Sequence, residues 1–318
     1  MTEPLSHLQM LNPEQYSAVT SLDGPLLILA GAGSGKTRVL TRRVAHLLHT
    51  GVDPEAVLAV TFTNKAALEM RARVAELAGE AGSKVWVSTF HSTCGRILRQ
   101  DIEALGFTKR FSIYDDDDQL RIIRQLIADR GWDPKQFPPS QFLSRIDGYK
   151  NQLLTPDDVL NQRRSHGSDP TLQIWREYED NLRAADAIDF NDLIGKVVLL
   201  FTEHPDVLAK WQEKFRYALV DEYQDTNHAQ YKVLSLLVRH HHNICCVGDD
   251  DQSIYGFRGA DIRNILDFQN DYPEAAVIRM EQNYRCSKNI LAVANAVVAK
   301  NSGRIEKALW TEAKPGPL

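Results

Sequence analysis

Lys36 and Thr37 close the run AGAGSGKT at residues 30–37, which also holds Gly31, Gly33 and Gly35. Glycines let a turn bend tightly and let a ligand approach the backbone. Where such a turn opens a helix, its N–H groups and the helix N-terminus favour an anion. The lysine then reaches the outer phosphates of a nucleoside triphosphate, and the threonine hydroxyl is a ligand for Mg2+. Contacts to ATP are therefore expected from Ala30, Gly31, Gly33, Ser34, Gly35, Lys36 and Thr37. The pattern departs from G-x-x-x-x-G-K-[ST] at its first position, which here is Ala30.

A second constellation lies far along the chain. YALVDEYQDT (217–226) places Asp221 and Glu222 at the end of an apolar run. In a parallel sheet, ligands bind at the carboxyl ends of the strands. Both acids would then flank the phosphate cradle. Asp221 suits hydrated Mg2+, which takes one or two carboxylates plus substrate phosphates. Glu222 suits the general base that orients and deprotonates water. A metal anchor beside a base favours hydrolysis over binding alone.

These residues need elements to hold them. LLILA (26–30), VLAVTF (57–62) and VWVSTF (85–90) are short apolar runs, each followed by an amphipathic helical pattern. That alternation predicts an α/β fold, a parallel sheet with helices on its faces. It stops between residues 108 and 211, where DDDDQLRIIRQLIADR, PSQFLSRIDGYKNQL and TLQIWREYEDNLRAA read as helices with no buried strand. It resumes with YALVDE (217–222), NICCVGD (243–249) and AAVIRM (275–280), and SKNILAVANAVVAKN follows as a helical pattern. The expected organisation is a sheet domain in two segments, 1–107 and 212–280, around an all-helical insertion, 108–211.

The 318 residues carry a net charge of −5, so no global basic character marks a nucleic-acid binder, although a local basic groove can serve. The four cysteines form no CxxC pair and read as reduced. No apolar run approaches the ~20 residues that span a bilayer. No secretory signal pattern opens the chain, and the default expectation is a cytoplasmic protein. The acids of YDDDDQ (114–119) read as a helix N-terminus, and RHHHN (239–243) as a solvated connection.

Seven motifs in order resemble those of superfamily 1 DNA helicases of the UvrD/Rep/PcrA type. They are LNPEQ (11–15), AGAGSGKT (30–37), VTFTNKAALEMRARV (60–74), STFHS (88–92), VDEYQDT (220–226), VGDDDQSIYGFRGA (247–260) and EQNYR (281–285). In that family alanine is usual at the first cradle position. The resemblance implies a RecA-like motor driven by ATP and Mg2+ that moves 3′→5′ on single-stranded DNA and at single-/double-strand junctions. Repair or replication proteins would be its neighbours, and a nucleoid-associated cytoplasmic location follows.

The same resemblance assigns roles. Gln15 reads adenine and Tyr284 stacks on it. Arg285 and Gln252 address the γ-phosphate, and Arg38 lies one step past the cradle. Phe62, His91, Tyr255 and Phe257 stack on bases, a sequence-tolerant grip. Asn64, Lys65 and Arg258 contact DNA phosphates. Phenylalanine at 257, where tryptophan is frequent, implies a slightly weaker stack. Residues 281–318 would open a second RecA-like domain whose later motifs do not occur here, so the isolated chain is not expected to be a competent motor. The same motor also resembles that of helicase–nuclease subunits, and a non-catalytic nucleotide- or DNA-binding module is the third reading.

Overall fold

The computed structural model describes residues 5–163, 169–301 and 303–316. The chain forms two compact units, one of Met1–Phe90, Lys210–Thr226 and Leu237–Leu318, the other of His91–Ala209 and Asn227–Leu236.

In chain order the elements are α1 (Pro13–Thr20), β1 (Leu26–Ala30), α2 (Lys36–His49), β2 (Val57–Thr61), α3 (Asn64–Lys84), β3 (Trp86–Thr89) and α4 (Phe90–Asp101). Then come β4 (Ser112–Tyr114), α5 (Asp116–Asp129), α6 (Pro139–Asn151), α7 (Pro156–Arg163), α8 (Pro170–Ala184), β5 (Ala187–Asp189), α9 (Phe190–Glu203) and α10 (Pro205–Lys214). The last are β6 (Tyr217–Val220), α11 (His228–Val238), β7 (Ile244–Gly248), α12 (Arg263–Leu266), α13 (Phe268–Asp271), β8 (Ala276–Met280) and α14 (Lys288–Val298).

The first unit is built on a six-stranded sheet of order β3-β2-β6-β7-β1-β8. Every pairing in it is parallel. β1, β2 and β7 are buried throughout, as parallel strands covered on both faces must be. Their continuous apolar runs follow from that burial. Leu26, Ile28, Val57, Ala59, Leu219, Cys245 and Val247 join Val39, Leu40, Val44, Ala67, Met70 and Val74 from α2 and α3 in one core. α3 breaks at Gly79, whose φ of 62° no helical residue adopts.

The second unit has its own core, in which Ile123, Ile127, Phe142, Ile146, Trp175 and Tyr178 pack from α5, α6 and α8. It corrects the expectation of an all-helical segment. β4 and β5 form a two-stranded parallel sheet, Ser112–Tyr114 against Ala187–Asp189. Three residues are too few to show an alternation, and their partners are more than 70 residues apart in sequence, so no local pattern announces them. The unit also starts before residue 108: Gly95 on α4 lies where an added Cβ would sit 3.6 Å from Leu193 of α9. The YDDDDQ acids do open a helix, with Asp115 accepting from the N–H groups of Asp117 and Asp118.

Among the described residues, no helix is long and apolar enough to cross a membrane. The four cysteines are free. His241 bonds the Phe215 carbonyl and His242 bonds Glu274, so the RHHHN side chains diverge.

Candidate nucleotide site and nucleic-acid face

β1 ends at Ala30 and the cradle turns directly into α2, with Gly33 at φ 73° and Gly35, the residue before the helix, at φ 94°. Non-glycine residues rarely hold that conformation. Space is restricted as well. A Cβ at Gly31 would sit 2.2 Å from Leu309, and one at Gly33 would meet Asn283 and Arg285 at 2.7 and 2.8 Å. Ser34 Oγ donates to the Gly31 carbonyl at 2.8 Å and holds the turn closed. The first-turn N–H groups of α2 have no intrahelical acceptor, as at any helix start. Ala30 itself is fully buried and paired with Met280 on β8, so its methyl belongs to the core and does not line the cradle.

The acid pair comes off β6, whose end is fixed to β2 by the Asp221 N–H on the Val60 carbonyl at 3.0 Å. Lys36 Nζ meets Glu222 Oε2 at 2.7 Å. Glu222 holds φ 50°, ψ 46°, the left-handed region, which aims its side chain toward the cradle at a backbone cost of about 1–2 kcal/mol. Asp221 is 7 % exposed and accepts the Glu222 N–H at 3.0 Å. Burial, then the Glu222 charge, push the Asp221 carboxyl up to about 6. Asp225 is pushed to about 6 by the same two causes, and its Oδ1 is buried without a hydrogen-bond partner. The site thus gathers more negative charge than Lys36 balances, and a divalent cation suits that surplus.

The flanking segment is tied to the cradle from outside. Asn283 Nδ2 donates to the Ala32 carbonyl at 2.6 Å, and the Tyr284 N–H to the Gly33 carbonyl at 3.0 Å. Asn283 Oδ1 accepts the N–H groups of Arg285 and Cys286, so Arg285 is set beside Gly33 with an exposed side chain. Tyr284 is half exposed, and its hydroxyl bonds Asn12 and Gln282.

Three expected nucleotide contacts are engaged elsewhere. Gln15 is 1 % exposed. It is the third residue of α1 in a reciprocal capping box with Asn12, and its Nε2 donates to the Ser34 carbonyl at 2.9 Å. The capping geometry turns the amide inward, so in this conformation it braces the cradle, and the side chain that bonds Tyr284 is the half-buried Asn12. Arg38 donates to the Met10 carbonyl at 2.7 Å and fastens the segment before α1. Gln252 Nε2 lies 2.5 Å from Asp249 Oδ2. Asp249 and its neighbours Asp250 and Asp251 surround the buried Lys307 ammonium.

Of the expected nucleic-acid contacts, Phe62, Tyr255 and Phe257 form a ladder with ring centroids 5.2 and 6.0 Å apart. The Arg258 guanidinium lies over the last two rings at 5.6 and 5.5 Å. Phe257 is 79 % exposed, far more than packing would leave it. Asn64 and Lys65 are exposed in the first turn of α3, where the Thr63 hydroxyl accepts the Ala66 N–H. His91, in the second unit, packs edge-on against Phe190 at 5.8 Å, and burial lowers its affinity for a proton. Sequence reasoning missed Gln224, Asn283 and Lys307. Gln224 and Asn283 lie inside the VDEYQDT and EQNYR motifs without an assigned role, and Lys307 lies in no motif.

The chain matches the family model described as the UvrD/REP helicase N-terminal domain over residues 11–273. It is 50 % identical over 307 residues to the ATP-dependent DNA helicase PcrA of Staphylococcus epidermidis, covering 96 % of this chain and 42 % of that protein. It is also 50 % identical over 305 residues to the protein of the same name from Staphylococcus aureus, again with 96 % and 42 % covered. The chain therefore spans less than half the length of these relatives. With its parallel sheet and ordered motifs, it belongs to the UvrD/REP helicase family and carries that family's N-terminal domain.

Proposed function

We propose that this chain is the nucleotide-binding motor portion of an ATP-dependent 3′→5′ DNA helicase. It would act on single-stranded DNA and strand junctions, in the cytoplasm at the nucleoid, beside repair or replication proteins. The observation that carries the reading is the Lys36–Glu222 ion pair of 2.7 Å across the mouth of the glycine cradle. It pairs a phosphate-binding cation with a base, and an incoming phosphate would compete with Glu222 for Lys36.

In this proposal Gly31, Gly33, Ser34, Gly35 and Lys36 bind the phosphates, and Thr37 with Asp221 holds Mg2+, which when bound supplies neutralising charge. Glu222, released from Lys36, accepts the proton of the attacking water. Tyr284 stacks on the base and Arg285 faces the terminal phosphate, which Gln252 would reach on leaving Asp249. Phe62, Tyr255 and Phe257 stack on successive bases while Asn64, Lys65 and Arg258 meet phosphates, and His91 is a separate proposed contact within the second unit. The polarity and the preference for DNA come from the family resemblance.

The test is titration with a fluorescent ATP analogue and Mg2+. Binding by the chain, weakened about tenfold or more in Lys36→Ala, is expected. Equal binding by the two proteins would overturn the reading.

A further inference from the structure

Gln224 lies one residue beyond Tyr223 in the acid box and is 1 % exposed. Its Nε2 is 3.0 Å from Glu222 Oε2 and 3.2 Å from Asp225 Oδ2. On the other edge of the amide, Oε1 accepts the Asp249 N–H at 3.0 Å. The Gln224 carbonyl also accepts the Ser253 hydroxyl at 3.2 Å. The approach is close enough to dictate a neighbour: a Cβ at Gly248 would sit 2.7 Å from Gln224 Oε1, although the φ of Gly248 is not positive.

We infer that Gln224 is a positioning residue that ties the acid box to the loop carrying Gln252 and the aromatic ladder. This rests on the nucleotide-hydrolase reading above. One planar amide holds the Glu222 and Asp225 carboxylates on its donor edge and the start of the loop on its acceptor edge. Glu222 Oε2 is the same oxygen that meets Lys36, so a continuous path runs Lys36, Glu222, Gln224, Asp249, Gln252. When a phosphate draws Lys36 away, Glu222 keeps its bond to Gln224. The amide cannot follow the carboxylate without moving its other edge, so the event is felt at Asp249. Such an element is a physical route for coupling because both ends are bonded to it.

Two variants separate the edges. Gln224→Met removes both. Gln224→Glu keeps an acceptor for Asp249 but sets a charge against Glu222 and Asp225, which like-charge repulsion opposes. Measured on the 318-residue chain, Gln224→Met should speed amide hydrogen exchange at Asp249 about tenfold, as loss of one buried hydrogen bond predicts. It should lower single-turnover ATP hydrolysis about tenfold while leaving analogue affinity within about twofold, a loss of rate without a loss of binding. Gln224→Glu should leave Asp249 exchange near the wild-type rate and reduce hydrolysis at least as far.

Unchanged Asp249 exchange in Gln224→Met, or wild-type hydrolysis by Gln224→Glu, would overturn the inference. If the unaltered chain binds no analogue, the nucleotide reading fails. Asp249 exchange then still decides whether Gln224 makes the bridge.

Discussion

Lys36 and Lys150 are both lysines among carboxylates, one in each unit, and they differ in what surrounds the ring of charge. Lys150 lies 2.5, 2.6 and 3.1 Å from Glu179, Asp189 and Asp192, with its side chain 8 % exposed. Tyr178 donates to Asp189 at 2.9 Å, and the Asp192 N–H donates to Asp189 at 2.8 Å. Burial alone would strip the proton from Lys150, but Asp192, Asp189 and Glu179 overrule it and hold the ammonium well above its ordinary range. Lys36 has one carboxylate at contact, on a Glu222 side chain that is 37 % exposed. Beside it Asp221 carries a charge that burial penalises. The closed cluster is internally satisfied and reads as structure. The open one keeps an unbalanced charge within reach of solvent, which is the condition for exchanging partners with a ligand.

The largest expected effect is on the closed cluster. Lys150→Met leaves Glu179 and Asp189 without their contact cation and Asp192 with only Lys196 at 3.5 Å, and removing one partner of a buried pair costs about 3–5 kcal/mol. Urea unfolding of the second unit should show that loss. A cost within error would mean that the cluster is hydrated and the comparison false.

Next comes catalysis at the open cluster. Glu222→Gln should slow hydrolysis at least ~100-fold, about 2.7 kcal/mol on the barrier, while the analogue still binds. Turnover at the wild-type rate would remove Glu222 from its role.

A smaller effect has an unusual sign. The Asp221 carboxyl titrates at about 6 in the folded chain against 3.8 as the ordinary value, so the folded state binds the extra proton between those limits. Its ionised form therefore destabilises the fold above about pH 6, and the penalty disappears as the pH falls toward 4. Asp221→Asn should stabilise the nucleotide-free chain by roughly 1–2 kcal/mol at pH 8 and by only about a third as much at pH 4.5. Thermal melts at the two pH values decide it, and a loss of stability at pH 8 would show that the acid is not strained.

The smallest change is expected from Lys36→Ala in stability, because a partly exposed pair contributes about 0–1 kcal/mol. A loss of several kcal/mol would make Lys36 a structural twin of Lys150 and erase the distinction.

What the sequence disclosed follows the range of the interactions. The cradle, the strands before it and after it, and the acids at the end of β6 are legible because turn chemistry, burial and strand ends are local. The Lys150 cluster is not, since DGYKNQL reads as the polar side of a helix and its acids come from residues 179, 189 and 192. β4 and β5 are lost for the same reason. Gln15 shows the converse: the motif locates it correctly beside the cradle, but the capping box decides where its amide points. The aromatic ladder needed the fold, because Phe62 and Tyr255 are far apart in the chain and 5.2 Å apart in space.

Glu222 stands in a backbone conformation that glycine or asparagine would hold more easily. Selection for a robust fold alone would therefore remove the glutamate, and under the proposed role selection for turnover would retain it. In any lineage released from hydrolysis, position 222 should be among the first to drift, and toward greater heat resistance. Under that role, the residue found there would serve as a local record of whether hydrolysis is still in use.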